Sequence, residues 1–364
     1  MEHILKKVTR YGARHLTQQL DYVFCRGWST PDKVTIDLTH RCNAKCQMCD
    51  FWKSRGSMRE EVSVQRWIEV IEELRYWLGP FWLSLSGGEV FVKKGIFDLI
   101  ARAVELDVSL SVLTNGLSFR SKECLEKLLA TGIRAINISV DSADPEIHDK
   151  YRGVPGLHAT IVSAVRTLKE HDESMFITFV CIVMRETLPG LVRYVQWATD
   201  LGVDRVIFQP VEMNFGAPGP ASQWQKDSDF FIRDLALLDI TIDRLIGMKQ
   251  ETGLIANDID NLEKMKLYFR DPSFVQIKRN RCMLGQANLL INEFGDMSFC
   301  YRFNNIFGNI DNGCIRDTWR AATANGYRAE IKRCRRPCMS VCYRSYTLVQ
   351  KISMFYKYTR IGRL

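Results

Sequence analysis

Short runs of β-branched and apolar residues recur along the chain, and between them apolar positions return every three or four residues. The runs fall at Val34–Leu38, Phe81–Leu85, Leu110–Leu113, Ala135–Val140, Phe176–Val183 and Arg205–Phe208. The helix-like stretches fall at Val64–Leu78, Lys94–Leu106, Lys122–Leu129, His158–Lys169 and Leu188–Leu201. Such alternation predicts parallel strand–helix units. Six strands are fewer than the eight that close a barrel, so an open, partial barrel and a doubly wound sheet both satisfy the pattern. Ahead of them, residues 1–31 set Ile4, Leu5, Val8, Leu16, Leu20 and Val23 among Lys6, Lys7, Arg10 and Arg14, which predicts an amphipathic helix. It caps the barrel or, in a second reading, lies on a membrane surface or a partner. Beyond the sixth strand, Met213–Pro220 reads as a loop and Ser228–Phe269 as mostly helical. Leu289–Ile291, a turn containing Gly295, and Met297–Cys300 read as a β-hairpin.

Composition narrows the class. The chain has 364 residues, 46% hydrophobic and 25% charged, which excludes a disordered or fibrous protein and leaves apolar surface for a sizeable core. No apolar run has membrane-spanning length, and Met1-Glu2-His3 does not open a secretory signal, so a cytoplasmic protein is expected. Cysteine occurs 12 times. In a reducing compartment that number points to metal or redox chemistry rather than disulfides. The net charge of +8 is uneven, because Arg328–Leu364 holds ten Lys/Arg against one acid, Glu330.

Three cysteines stand in the loop after the first strand, as Cys42-Asn-Ala-Lys-Cys46-Gln-Met-Cys49. The C-terminal edge of a parallel sheet is where such folds build their sites. Three thiolates this close can wrap one face of a soft metal centre. Zinc would want a fourth ligand, for which His40 is near, but CxxxCxxC is not the paired spacing of zinc sites. On a four-iron cluster, three cysteines leave one iron open to a substrate or cofactor.

This loop resembles the CxxxCxxC signature of the radical S-adenosylmethionine (radical SAM) superfamily. Four further motifs stand in order at or after strand ends: Ser86-Gly87-Gly88-Glu89, Thr114-Asn115-Gly116, Ser139-Val140-Asp141 and Tyr151-Arg152-Gly153. The resemblance covers roughly residues 33–212 and implies an α/β fold, a partial (βα)6 TIM-like barrel. It also implies a [4Fe-4S] cluster on Cys42, Cys46 and Cys49. The open iron would chelate SAM, and reductive cleavage would give a 5′-deoxyadenosyl radical that takes hydrogen from an unactivated carbon. Gly87, Gly88 and Glu89 would hold the methionine amino group. Ser139 and Asp141 would meet the ribose or carboxylate, and Arg152 the carboxylate, with Asn115 at the neighbouring strand end. The family usually has an aromatic residue near the adenine where this chain has Met48, so Phe51 or Trp52 would supply that face. Backbone near Ile182–Met184 and Gln209–Val211 would also meet the adenine.

Cys282, Cys300, Cys334, Cys338 and Cys342 follow toward the C-terminus. Gly295 to Cys300 is a GxxxxC turn, resembling the opening of the SPASM and twitch extensions, which house auxiliary four-iron clusters. The full SPASM pattern carries more cysteines and two such clusters. The resemblance here therefore implies one auxiliary [4Fe-4S] cluster in a C-terminal SPASM/twitch-like cysteine-rich domain. Its expected ligands are Cys282, Cys300, Cys338 and Cys342, with Cys334 as the alternate; a zinc knot is the competing account. Cys25, Cys124, Cys181 and Cys314 read as core, Cys181 being the one best placed to return a hydrogen atom.

The expected organisation is a helical segment at 1–31, a radical SAM core at 32–225, a helical connection at 226–274, the auxiliary domain at 275–345 and a basic tail at 346–364. The expected function is a radical SAM oxidoreductase acting on a small molecule, a sugar, aminocyclitol or lipid-linked group, with the auxiliary cluster as electron acceptor. Many SPASM relatives carry a peptide-binding domain, and the roughly 30 residues before the first strand are too few for one. Epimerisation and peptide modification are the enzymatic alternatives. An iron–sulfur carrier or sensor is the alternative of another class, and the Gly-Gly-Glu turn argues against it. A flavodoxin- or ferredoxin-type protein would donate electrons. The basic C-terminal residues interleave with Tyr343, Tyr346, Phe355, Tyr356 and Tyr358, which suits phosphate or peripheral membrane contact ahead of nucleic acid.

Overall fold

The computed structural model describes residues 2–49, 51–53, 59–212, 228–271, 282–302, 305–334 and 339. Helix α1 (Glu2–Phe24) leads into strands β1 (Lys33–Asp37), β2 (Trp82–Ser86), β3 (Ser109–Thr114), β4 (Ala135–Ser139), β5 (Phe176–Val183) and β6 (Arg205–Pro210). Between them run α2 (Val64–Leu78), α3 (Ile96–Glu105), α4 (Lys122–Ala130), α5 (Pro145–Arg152), α6 (Leu157–His171) and α7 (Leu191–Asp200). The six strands lie side by side in sequence order, each parallel to the next. A doubly wound sheet reverses its order at a switch point, whereas an unreversed order is the path of a barrel. The architecture is therefore α/β with an open, partial (βα)6 barrel.

Alternation along the strands separates two faces. Val34, Ile36, Leu83, Leu85, Ile136 and Ile138 are buried against the helical layer. Their alternates are polar: Thr35 lies in register with Ser84, Ser84 with Ser111, and Asp37 with Ser86. On the same face Asn137 Nδ2 donates to Ser111 Oγ at 2.7 Å. Over β1 to β4 the inner wall of the barrel thus presents hydroxyl, carboxyl and amide groups, suited to a polar ligand.

Strand β7 (Asn288–Ile291) adds parallel to β1, and β8 (Asp296–Ser298) and β9 (Gly308–Asn309) follow antiparallel. The expected hairpin is present, but β8 ends at Ser298, so Cys300 stands in the loop beyond it. Gly295 turns the hairpin at φ +82°, and a Cβ there would lie 2.7 Å from Ile310 Cγ1. The helical connection contains α8 (Leu235–Thr252) and α9 (Ile259–Arg270); α10 (Leu284–Ala287), α11 (Ile315–Arg320) and α12 (Ala322–Lys332) flank the hairpin. Among the described residues, no helix is long and apolar enough to cross a membrane. The loop expected at Met213–Pro220, the boundary near 275 and the tail at 346–364 lie outside the described residues.

Candidate functional site

The cysteine loop leaves β1 zipped to the glycine turn that leaves β2. Leu38 N donates to Ser86 O at 2.9 Å, Gly88 N to Thr39 O at 2.7 Å and Glu89 N to Arg41 O at 2.9 Å. This contact requires both glycines. A Cβ on Gly87, whose φ is +124°, would lie 2.5 Å from Thr39 O, and one on Gly88 would lie 2.4 Å from Arg41 O. The far side of the loop rests on the end of α5. Gln47 N donates to Tyr151 O at 2.9 Å, and a Cβ on Gly153 would lie 2.7 Å from Lys45 O. Trp52 Nε1 donates to Cys46 O at 3.0 Å, so this aromatic braces the loop, while Met48 is buried in the core. The side chain of Phe51 lies outside the described set.

Two N–H donors reach the sulfur atoms. Asn115 Nδ2 is 3.7 Å from Cys42 Sγ, and Arg152 Nη1 is 3.9 Å from Cys46 Sγ. Burial pushes the Cys42 thiol up to about 11, and Cys46, Glu89 and Cys49 add to that rise against a backbone hydrogen bond from Ala44. A bound cation would reverse this by stabilising thiolates, with release of protons. The three thiols and their donors therefore fit an iron–sulfur cluster. Among the described residues, no three Cys, His, Asp or Glu side chains converge to hold a single metal ion. His40, the fourth ligand weighed for zinc, instead faces Glu61 and Glu293, at 3.4 and 3.8 Å.

The motif residues behind the loop are brought together, but in roles the sequence did not specify. Glu89 is buried; its carboxylate accepts from Thr114 Oγ1 at 2.7 Å, Asn115 N at 2.8 Å and Phe91 N at 3.2 Å. It ties the end of β3 to the glycine turn, and burial raises its pKa against those bonds. Asp141 and Arg152 form a buried bidentate pair, Nε to Oδ2 at 2.6 Å and Nη2 to Oδ1 at 2.9 Å. Burial alone would lower the arginine pKa, but Asp141 and Cys46 outweigh it and hold the guanidinium charged. Asp141 Oδ1 also accepts from Ile182 N at 3.0 Å, joining the ends of β4 and β5. His148 completes this corner. Its Nδ1 accepts from Asp141 N at 3.2 Å, and burial lowers its pKa to about 4, so it is neutral. Ser139 is half-buried at the end of β4.

Cys181 is core, as its sequence position suggests, whereas Cys314, expected to be core as well, is exposed. Cys181 alternates with the inner-face residues of β5 and lies on the helical side, fully buried, with Sγ 3.3 Å from Asp141 O. A thiol there does not face the inner wall, so the secondary reading of it as a hydrogen-atom donor falls away. The second cysteine group is seen in part: Cys300 is buried, Cys282 and Cys334 are half-buried, and Cys338 and Cys342 lie outside the described residues.

Sequence reasoning missed two contacts beside Cys300. Tyr301 Oη donates to Asp37 Oδ1 at 2.9 Å, and Arg302 pairs with Glu212 just past β6. Glu212 Oε1 also accepts from Met339 N at 2.8 Å. Burial raises the Asp37 carboxyl to about 7, Glu293 adding to this and the Tyr301 bond opposing it.

An open parallel barrel with a three-cysteine loop bound to a glycine turn defines the class of site. Residues 36–209 match the family model of the Radical SAM superfamily. The PqqA peptide cyclase of Granulibacter bethesdensis is 28% identical over 175 residues, 48% of this chain and 46% of that protein. The antilisterial bacteriocin subtilosin biosynthesis protein AlbA of Bacillus subtilis is 28% identical over 212 residues, 58% of this chain and 46% of that protein. The matched part thus spans about half the length of these curated relatives. Streptococcus suis SuiB, solved bound to S-adenosylmethionine, superposes with a TM-score of 0.64 at 16% identity, covering 82% of this chain and 68% of that one. SuiB has also been solved bound to its precursor peptide SuiA. The first of these relatives is named as a peptide cyclase, and none of these names supports the expected small-molecule oxidation.

Proposed function

We propose that the protein is a cytoplasmic radical SAM enzyme that modifies a peptide, the reading held above as an alternative to small-molecule oxidation. The radical SAM chemistry is carried by the loop of Cys42, Cys46 and Cys49, locked between two glycine contacts, with N–H donors aimed at two of its sulfurs. The peptide substrate is supported by the peptide cyclase among the relatives. Those cysteines would hold a [4Fe-4S] cluster, and S-adenosylmethionine would lie over the ends of β2 to β6. When bound, the pair supplies abstraction of a hydrogen atom from an unactivated carbon. This chain's own residues do the rest. The Gly87–Gly88 backbone shapes the floor, Glu89 fixes Asn115 against Cys42, and the Asp141–Arg152 pair keeps a permanent cation beside Cys46. The polar inner wall, with Ser84, Ser111 and Asn137, would accept peptide amides. Residues 275–345 would form an auxiliary domain whose second cluster rests on Cys282, Cys300, Cys338 and Cys342 or Cys334. A flavodoxin- or ferredoxin-type donor would supply the electron.

Anaerobic reconstitution with dithionite and S-adenosylmethionine tests the chemistry, and 5′-deoxyadenosine is expected. Cys42→Ala, Cys46→Ala and Cys49→Ala should each abolish it. An iron-loaded protein that never forms 5′-deoxyadenosine would be an electron carrier or sensor. Co-expression with short peptides encoded by neighbouring genes should give a mass change that disappears with the Cys46→Ala variant. Iron content equal to one cluster in the wild type would remove the auxiliary cluster.

A further inference from the structure

Helix α1 is attached the wrong way round for a soluble surface helix. Among its described side chains, from residue 12 on, those it buries are polar. Arg14 donates to Leu78 O and Pro80 O, Gln18 donates to Thr30 O, and Asp21 accepts from Ser29 Oγ and the backbone of Arg26 and Trp28. All three are at most 7% exposed. Its outward side is apolar: Leu16, Leu20, Val23 and Phe24, with Trp28 just beyond, are 45–60% exposed. Positions 16, 20, 23 and 24 share one stripe at helical spacing. Phe24 and Trp28 extend it as a ring pair, 5.6 Å between centroids. Isolated exposed apolar residues need no explanation, but a contiguous stripe ending in a tryptophan marks an interaction surface.

Charge identifies what would cover it. The sequence of the same helix carries Lys6, Lys7 and Arg10, and Arg26 follows its end. Helix α12 ends against it: Lys332 Nζ donates to Val23 O at 3.0 Å and lies over the Tyr22 ring. In sequence, Lys332 to Leu364 carries basic residues and no acidic one. An isologous contact between two copies through this stripe would set these cations against each other, which is unfavourable. An anionic lipid surface meets both requirements, taking the apolar stripe into the headgroup boundary while its charge attracts the flanking cations. We propose that α1 is a peripheral membrane anchor that docks the protein on anionic bilayers, with Leu20, Phe24 and Trp28 as the inserting residues. This holds whatever substrate the barrel takes.

The test uses the full chain in vesicle co-sedimentation, with phosphatidylcholine alone against phosphatidylcholine mixed with phosphatidylglycerol. Binding is expected to the mixed vesicles only and to weaken with added salt. The Leu20→Ser/Phe24→Ser variant should lose at least about tenfold in partitioning. Its melting temperature should be unchanged, because neither side chain is buried. Trp28→Ser alone serves if the double variant folds poorly, and should also lower partitioning. Absence of binding, binding indifferent to anionic lipid, or equal binding by the variants would overturn the proposal. So would a dimer in light scattering that the same substitutions convert to monomer.

Discussion

Asp141 and Arg152 are a pair in which neither member can be lost alone without stranding the other. Asp141→Asn leaves a buried guanidinium short of its counter-charge, and breaking such a pair costs about 3–5 kcal/mol. Urea unfolding of the metal-free protein should show that loss. The double variant Asp141→Asn/Arg152→Met should recover a large part of it, because no buried charge then remains. Asp37 works in the opposite sense. Its folded-state pKa of about 7 stands above the ordinary 3.8, so the folded protein holds a proton that the unfolded chain releases. Its contribution to stability therefore declines as pH rises from about 4 to about 7, and levels off above. Asp37→Asn should raise stability relative to wild type by a margin growing through that window, up to about 4 kcal/mol at its upper end. Unfolding free energies at pH 4, 5.5 and 7.5 check this, and a constant margin would refute it. Asp141 and Arg152 were legible as motif residues, since both stand close in sequence after the fourth strand. Their mutual pairing was not. Asp37 was not legible as a titrating group, because its partner Tyr301 is 264 residues away and proximity at that range comes only from folding.

At the scale of elements, boundaries were legible where capping chemistry marks them. Helix α2 begins and ends where the periodicity places it, because Ser63 Oγ accepts from Arg66 N at one end and Gly79 takes φ +65° at the other. Strand β8 stops at Ser298, where its ladder to β7 ends, although the apolar Phe299 and Cys300 read as a continuation of it. For α1 the periodicity gave the helix but inverted its orientation: the rule that apolar faces point inward fails when Arg14, Gln18 and Asp21 make the buried contacts. The glycine turn was legible as a motif, and its physical demand follows from geometry. Gly88→Ala puts a methyl group into the backbone of Arg41, and an overpacked contact of this kind costs about 1–3 kcal/mol. Relief requires the cysteine loop to move. The variant should fold with a modestly lower melting temperature yet take up markedly less iron on reconstitution than wild type. Equal iron content would show that the close approach does not set the loop.

Across the whole molecule, the barrel stays open on one flank, and the loop after β8 spans that opening at the strand ends. Consecutive side chains reach opposite ways, Tyr301 to Asp37 at the end of β1 and Arg302 to Glu212 beyond β6. Glu212 also receives Met339 N, so one carboxylate gathers the end of the sixth strand, the Cys300 loop and Met339. None of this was readable in sequence, since neither Glu212 nor Arg302 belongs to a motif and the contact closes 90 residues of chain. A hydrogen bond to a charged group contributes about 1.5–3 kcal/mol, and both carboxylate bonds weaken when the charge is removed. Glu212→Gln keeps the shape and removes that charge. Local rather than global loosening is expected, because β2, β3 and β4 hold their own ladders. Hydrogen–deuterium exchange should therefore rise at Phe299–Arg302 and around Glu212 while β3 and β4 keep wild-type protection. A uniform rise across the sheet would instead make Glu212 a general stabiliser with no special part in closing the barrel.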